Sequence, residues 1–184
     1  SGLRFVLQMP QLGTGHALMQ AWPALDKAQS HTLVCLGDVP LLSSATVEKM
    51  KAQAKGDDLV LLTVNLDQPK GYGRIVRNAQ GQVTSIVEEK DATDEQRAIR
   101  EVNTGIMLLP TARLDGWLKR LSNDNAQQEY YLTDLIGFAA QDGVAISTVQ
   151  PDHVYEVEGV NSKVQLATLE RVWQRAQAQR LLEA

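Results

Sequence analysis

The sequence predicts an α/β domain built on a mainly parallel sheet, and two patterns predict it. The first is a set of short apolar segments, bounded by Gly, Pro, Asp or Asn, that are typical of buried strands. They lie at residues 3–8, 32–36, 59–64 and 102–109. The second is helical periodicity between most of these segments. Alternation of strand and helix favours parallel strands, because a helix carries the chain back to the edge where the previous strand began.

The helices are predicted from apolar spacing and from capping residues. Residues 46–54 follow Ser44, which is predicted to cap them. Thr93 and Gln96 have the spacing of a capping box, which would open a polar helix ending at Arg100. Further helices are predicted at residues 112–121, 131–140 and 164–182.

The two ends of the sequence predict that it is a fragment. The strand at residues 3–8 has only Ser1 and Gly2 before it, and a parallel sheet does not easily begin with such a strand. The last helix runs from Val164 to the final residues without a Gly or Pro stop signal.

Composition excludes several classes of protein. With 184 residues, of which 43% are hydrophobic, the chain is long enough for a real core. Its net charge is -4 without a basic block, which disfavours nucleic-acid binding. No apolar run approaches the roughly 18 residues of a membrane span. Cys35 is the single cysteine, so an internal disulfide and a multi-thiolate zinc site are excluded, and a cytoplasmic location fits.

The segment QLGTGHA lies between a predicted strand and a predicted helix. Its residues Gly13, Thr14 and Gly15 allow close approach of the backbone, so the loop could hold a nucleobase or a phosphate at a helix N-terminus. An ordinary turn is the alternative, and the Gly-x-Gly pattern alone favours that turn. His16 is expected to be a surface or capping residue.

Asp38 directly follows a predicted buried strand, at the edge where open α/β sheets bind ligands. A carboxylate there suits Mg²⁺, which commonly takes one or two protein oxygens and completes its shell with water and phosphate. A turn or helix-capping Asp before Pro40 is an equal alternative until a second ligand is found. Candidates for that ligand are Glu156, Glu158 and Asn161, although Asn161 is also a good helix N-cap.

A second polar group surrounds a predicted hairpin formed by residues 74–78 and 83–88. Gly73 precedes the hairpin, Glu88 ends it, and Asn103 lies in the next strand. Carboxylate and amide groups of this kind can recognise the hydroxyls of a sugar. The neighbouring charged run EEKDATDEQR is expected to be a solvated face.

Together and in order, these segments resemble the uridyltransferase domain of the bacterial bifunctional N-acetylglucosamine-1-phosphate uridyltransferases. The resemblance rests on LQMPQLGTGHA, LGDVPLL, GYGRIV, IVEEKDAT, EVNTGI, NAQQEYYLTDLI and YEVEGVNSKVQLATLERV. It implies a Rossmann-like nucleotidyltransferase fold that uses Mg²⁺. It also implies a cytoplasmic enzyme that converts UTP and N-acetylglucosamine-1-phosphate into UDP-N-acetylglucosamine and pyrophosphate for the cell envelope.

The resemblance also implies roles for individual residues. The uracil contacts correspond to Gln8, Gly13 and Thr14. The Mg²⁺ ligands correspond to Asp38 and Asn161. The sugar-phosphate contacts correspond to Gly73, Glu88, Asn103 and Asn161, with Glu129, Tyr131 and Thr133 in support. Leu36, Gly37 and Asp38 are expected to contact substrate as one loop. Leu36 stands where the family commonly has an aromatic residue, so its contribution is expected from its backbone.

Parts of the family pattern lie outside the sequence. The first strand and the Gly-rich loop with a following Arg and Lys, which hold the triphosphate, would precede Leu3 by roughly two βαβ units. A left-handed β-helix acetyltransferase domain, through which the parent would form a homotrimer, would follow Ala184. Residues 1–184 are therefore expected to be a partial uridyltransferase domain, inactive alone, ending in the helix that leads to the β-helix domain.

Two alternatives remain at this point. The parent could be another sugar-1-phosphate nucleotidyltransferase, because such enzymes share the sheet and the Asp at the end of a strand. The chain could also be a non-catalytic binding or assembly module that kept the fold without the triphosphate loop.

Overall fold

A six-stranded mixed sheet organises the computed structural model, which describes residues 2–183. The strands are β1 (His31–Val34), β2 (Leu59–Asn65), β3 (Arg74–Arg77), β4 (Val83–Val87), β5 (Glu101–Pro110) and β6 (Ile146–Val149). The helices are α1 (Thr14–Ala21), α2 (Ser44–Gln53), α3 (Asp94–Arg97), α4 (Thr111–Leu118), α5 (Asp134–Gln141) and α6 (Lys163–Leu182). Two 3₁₀ turns, Trp22–Ala24 and Val154–Val157, complete the set. Within residues 2–183, no helix combines the length and the apolar character needed to cross a bilayer.

The α/β class is confirmed, but the mainly parallel pairing is wrong. Only β2 and β6 pair in parallel, whereas β1–β5, β2–β5, β3–β4 and β3–β5 are antiparallel. The strands β1, β2 and β6 do share one direction, as alternation with helices predicted. β5 runs the opposite way and lies between β1 and β2, because Leu108 is opposite both Leu33 and Val60.

The predicted strand at residues 3–8 is also wrong. This segment forms no regular element, and the side chains of Leu3 and Phe5 are 88% and 91% exposed. A strand requires a neighbour for its backbone N–H and C=O groups, and this segment has no such neighbour among the described residues.

Several helix boundaries differ from the predictions for local reasons. Ser43, not Ser44, caps α2, because the Ser43 side chain accepts a hydrogen bond from the Thr46 amide. The Thr93–Gln96 capping box is confirmed, although its helix ends at Arg97. α5 begins at Asp134, so the segment from residue 131 to residue 133 is a turn rather than helix.

The core consists of two clusters on opposite faces of the sheet. Successive β2 side chains point alternately into one cluster and into the other, so β2 is buried on both faces. Leu59 and Leu61 pack in the cluster beneath α4 and α5, and Val60 and Leu62 pack in the cluster that includes Met50 of α2. Each fully buried aliphatic side chain stabilises the fold by about 1.5–3 kcal/mol.

β5 contains a bulge where it passes the end of β1. The pairing with β2 shifts between Leu61 and Thr63, and Thr104 compensates by donating its hydroxyl to the Leu62 carbonyl at 2.8 Å. The Asn103 side chain accepts the Gly105 amide at 3.1 Å. Gly105 has φ +80°, and a Cβ there would lie 2.6 Å from Cδ1 of Leu36. Glycine is therefore required at this point of β5.

Replacing Gly105 with Ala should lower the free energy of unfolding by about 1–3 kcal/mol, because positive φ and the Leu36 contact both oppose a Cβ. Urea denaturation measures the change. Adding Leu36→Ala should restore part of the loss. Gly116→Ala is the matched control, since Gly116 lies in α4 with open space around its Cβ position, and this change should stabilise the chain. Equal effects at the two glycines would contradict the account.

Candidate active site

The structure brings Asp38 and Asn161 to one place. Asp38 lies in the turn that follows β1, and Asn161 lies just before α6. The Val160 amide donates a hydrogen bond to the Asp38 carbonyl at 2.8 Å, which joins the two segments. A Cβ on Gly159 would lie 3.3 Å from Oδ2 of Asp38 and 3.7 Å from Nδ2 of Asn161. Both side chains therefore border the space that Gly159 leaves open.

The alternative capping roles of these two residues are not observed, although Asp38 does lie in a turn, as the other alternative for it held. Ser162 caps α6 by accepting the Gln165 amide, so the Asn161 side chain is not the cap. Ser43 caps α2, so the Asp38 side chain is not a helix cap either. Among residues 2–183, neither side chain has a hydrogen-bond partner within the protein, and both are exposed. Their oxygen atoms are free to bind a ligand.

The chemistry of this pair of side chains fits a hard cation. Mg²⁺ prefers oxygen ligands and is commonly held by one or two carboxylates, with water and phosphate oxygens completing the shell. Asp38 offers a carboxylate at the open space beside Gly159, and the side-chain amide of Asn161, whose Nδ2 borders the same space, carries one oxygen. No group of three or more His, Cys, Asp or Glu side chains within the described part of the chain could hold a metal by itself.

A second polar cluster joins the hairpin to β5 and to the start of α5. Glu88 follows β4, and its Oε1 accepts the Thr133 hydroxyl at 2.9 Å. A Cβ on Gly73 would lie 3.3 Å from Oε2 of Glu88. The backbone amide of Asn103 donates a hydrogen bond to the Gly73 carbonyl at 2.9 Å. The structure therefore brings Gly73, Glu88 and Thr133 into contact, with the backbone of Asn103 beside Gly73.

Tyr131 adds a hydroxyl that lacks a partner. Its side chain is 8% exposed, and its buried Oη has no hydrogen-bond partner among residues 2–183. Burial first, and then the nearby Asp91 and Glu88 carboxylates, raise the pKa of Tyr131 to about 12. Burial also raises the pKa of Asp134, with further contributions from Glu88 and Asp91. An unpaired buried hydroxyl among carboxylates suits a polar, hydroxyl-bearing ligand.

The QLGTGHA loop packs against the segment that carries Tyr131. Gly15 donates its amide to the Tyr130 carbonyl at 2.8 Å, and Thr14 accepts the Leu132 amide at 3.2 Å. Gly13 has φ +105°, and a Cβ there would lie 2.7 Å from the Tyr130 carbonyl oxygen. The close approach of the two backbones explains the glycine at position 13.

Gln8, His16 and Glu129 flank this loop. The Gln8 side chain donates to the Gly13 carbonyl at 2.9 Å and lies 3.2 Å from Nδ1 of His16. His16 is partly exposed in the first turn of α1, where it contacts Gln8 and Gln20. Glu129 is held through its backbone, because the Asn125 side chain bonds both its amide and its carbonyl.

Leu36 and Gly37 have different surroundings. Leu36 is half-buried and packs over Gly105 of β5, next to Asn103. Gly37 is exposed, and a Cβ there would meet no atom within 4 Å. The segment from Leu36 to Asp38 therefore connects the Asp38–Asn161 pair to the bulge in β5 that carries Asn103.

Sequence reasoning missed two residues that shape this region and gave a third the wrong role. Gly105 and Gly159 leave the space that neighbouring side chains border. Their presence in the short motifs NTGI and EGVN could have indicated these close approaches. Glu156 was considered a possible ligand, but it is 3% exposed and bonded to Ser43, Thr46 and His153. A single sequence holds no signal for those contacts.

Curated relatives are similar to this chain over all or nearly all of its length. The bifunctional protein GlmU of Aromatoleum aromaticum is 56% identical over 183 residues, which cover 100% of this chain and 40% of the relative. GlmU of Nitrosospira multiformis is 57% identical over 182 residues, which cover 98% of this chain and 39% of the relative. The chain thus spans about 40% of the length of these curated relatives.

The fold has a counterpart among solved structures. A UDP-glucose pyrophosphorylase complexed with UDP-glucose superposes with a TM-score of 0.68, covering 91% of this chain and 64% of that chain. Its sequence identity is 13%, so this likeness concerns the fold alone. The sequence profile of the family described as nucleotidyl transferase matches residues 2–156, which include β1 to β6, Asp38 and Glu88. The chain therefore belongs to the nucleotidyl transferase family.

Proposed function

We propose that this chain is the part of a uridyltransferase that binds the sugar phosphate and Mg²⁺. The reaction joins UTP and N-acetylglucosamine-1-phosphate to give UDP-N-acetylglucosamine and pyrophosphate. One observation carries the proposal: two uncommitted oxygen-bearing side chains, Asp38 and Asn161, meet beside Gly159 in a nucleotidyl transferase fold. Relatives named bifunctional protein GlmU, 56–57% identical, support the choice of substrates.

Each cluster has a role in this proposal. Asp38 and Asn161 hold the cation, which, when bound, offsets the negative charge of the phosphates. Glu88, Asn103 and Tyr131, with Thr133, orient the sugar and its acetamido group. The Gln8, Gly13 and Thr14 region holds the uracil.

The chemistry requires no nucleophile from the protein. The phosphate oxygen of N-acetylglucosamine-1-phosphate forms a bond to the α-phosphorus of UTP, and the bond from that phosphorus to pyrophosphate breaks. Correct positioning of the two substrates and stabilisation of charge account for catalysis of this kind.

The resemblance extends the proposal beyond these residues. Acetylation of glucosamine-1-phosphate, trimerisation and the binding of the triphosphate would depend on residues of a longer cytoplasmic protein. Residues 1–184 would then form a partial uridyltransferase domain that gives no turnover by itself. Pyrophosphate release from UTP and N-acetylglucosamine-1-phosphate by the 184-residue chain tests this point.

A second candidate is a nucleotidyltransferase for a different sugar-1-phosphate. The similarity of the fold to a UDP-glucose pyrophosphorylase, with a TM-score of 0.68, supports this second candidate. Turnover of glucose-1-phosphate by the longer protein, compared with turnover of the acetamido sugar, separates the two candidates. A preference for glucose-1-phosphate would reject the proposed substrate.

Replacing Asp38 with Asn in the longer protein should weaken uridyl transfer about 100-fold and raise the Mg²⁺ concentration needed for half-maximal rate. The reason is that one charged oxygen ligand becomes a neutral amide. Steady-state rates across a Mg²⁺ titration measure the effect. Asp57→Asn is the control, since Asp57 forms an exposed ion pair with Arg113 away from the site. An unchanged Mg²⁺ dependence in Asp38→Asn would contradict the role of Asp38.

Replacing Glu88 with Gln should raise KM for N-acetylglucosamine-1-phosphate about 10-fold, with little change in KM for UTP. The change removes the charged acceptor of the Thr133 hydroxyl at the proposed sugar pocket. Initial rates with each substrate varied in turn measure the split. Glu95→Gln, at an exposed position in the first turn of α3, is the control. Equal changes in both KM values would reject the sugar assignment.

A further inference from the structure

Glu156 is a buried carboxylate that no cation in the described chain neutralises. It lies in the 3₁₀ turn Val154–Val157 and is 3% exposed. Its Oε2 accepts the Thr46 hydroxyl at 2.6 Å and the Ser43 amide at 3.3 Å, and its Oε1 accepts the His153 amide at 3.2 Å. Burial raises the pKa of Glu156, but these hydrogen bonds outweigh burial and hold the pKa below its ordinary value.

The contacts of Glu156 connect the two segments that carry the candidate cation ligands. Ser43 ends the segment that runs from Asp38 to α2, and Glu156 begins the segment that runs to Asn161. The only other hydrogen bond observed between these two segments is from the Val160 amide to the Asp38 carbonyl, at 2.8 Å. The two segments are thus joined near the ligands and again at their far ends.

These two links, together with the packing of Val39, Leu42 and Val157 in one core cluster, join the segments that carry Asp38 and Asn161. Neither side chain has a hydrogen-bond partner among residues 2–183 that would fix it directly. Their relative position therefore follows from the backbones that carry them. A shift of the 153–157 turn relative to Ser43 would move Asn161 relative to Asp38.

Capping of α2 does not account for Glu156. The Ser43 hydroxyl already accepts the Thr46 amide at 3.1 Å, which is the usual N-cap bond. A buried charge is weak support for stability, because removing it from water costs much of what its hydrogen bonds contribute. Outer groups that orient metal ligands, in contrast, commonly change metal affinity 10–100-fold when they are replaced.

We infer that Glu156 is a positioning residue: its carboxylate fixes the Asp38 segment against the Asn161 segment and so sets the distance between the two cation ligands. The inference rests on the proposed function, since it assumes that Asp38 and Asn161 share a divalent cation. It adds a residue that contacts neither the cation nor the substrate.

The first test replaces Glu156 with Gln in the 184-residue chain and uses Mn²⁺ as the probe. The side chain keeps its size but loses one acceptor oxygen, so at least one of its three hydrogen-bond donors loses its partner. Mn²⁺ affinity, measured by electron paramagnetic resonance, should fall about 10-fold. Hydrogen exchange of the Val160 amide, measured without metal, should become faster because the bond to Asp38 opens more often.

Asp142→Asn is the matched control. Asp142 also accepts hydrogen bonds from two groups, the Trp117 indole at 2.8 Å and the Arg120 guanidinium at 2.9 Å, but it lies beyond the end of α5. This variant should lower the unfolding temperature while Mn²⁺ affinity and Val160 exchange stay at their wild-type values. An equal loss of Mn²⁺ affinity in Asp142→Asn would mean that general destabilisation, not positioning, explains the effect.

Two changes at Thr46 test the same link from its other side and serve if Glu156→Gln does not fold. Thr46→Val removes the hydroxyl that donates a hydrogen bond to Glu156 and should weaken Mn²⁺ binding. Thr46→Ser keeps the hydroxyl and should retain most of the affinity. Equal affinities in the Val and Ser variants would overturn the inference.

Failure of this inference and failure of the proposed function give different results. If Asp38→Asn leaves Mn²⁺ binding unchanged, the cation site is rejected, and Val160 exchange in Glu156→Gln alone decides whether the two segments are coupled. If Asp38→Asn abolishes binding while Glu156→Gln changes neither Mn²⁺ affinity nor Val160 exchange, the cation site stands and the positioning role is overturned.

Discussion

The antiparallel pairing of β5 with both β1 and β2 is the constraint on which the candidate site depends. Because β5 separates them, β1, β5, β2 and β6 lie side by side in that order, with β1 and β6 running in the same direction. The ends of β1 and β6 therefore open at the same edge, about three strand spacings of 4.7–4.9 Å apart. The segments that follow these strands meet beyond that edge, where Val160 bonds to Asp38.

Carboxylates cluster where the hairpin meets the start of α5. Glu88, Asp91 and Asp134 lie near one another, and the pKa values of Tyr131 and Asp134 are raised by burial and by these carboxylates. Phosphate groups add further negative charge. In the proposed function, a divalent cation held by Asp38 and Asn161 would offset the charge of the phosphates, and cationic side chains that hold the phosphates would reduce it further.

Much of the fold follows from local sequence signals. The hairpin, the Thr93 capping box and strands β2 and β5 are confirmed near their predicted positions. Sheet direction was not predictable in this way, because alternation of strand and helix does not say that β5 is inserted between two parallel strands. β6 was missed because its four residues, ISTV, lack a long apolar run.

In the site, too, some features could be predicted from the sequence and others depend on tertiary contacts. Asp38 and Asn161 could be chosen together because the family resemblance covered both segments. The buried link through Glu156 could not, because the sequence offered Glu156 only as a candidate cation ligand, and only the fold places Ser43 and Thr46 against it. The strand predicted at residues 3–8 failed for a related reason, since apolar residues form a strand only beside a partner.

The central claim is that one divalent cation lies between the Asp38 and Asn161 segments. Paramagnetic broadening of amide resonances by substoichiometric Mn²⁺, in the 184-residue chain, tests it most directly. The account predicts that the amides of Gly37, Asp38, Gly159 and Asn161 broaden together and before all others. Broadening of only one of these segments, or first broadening around Glu88, Asp91 and Asp134, would contradict it.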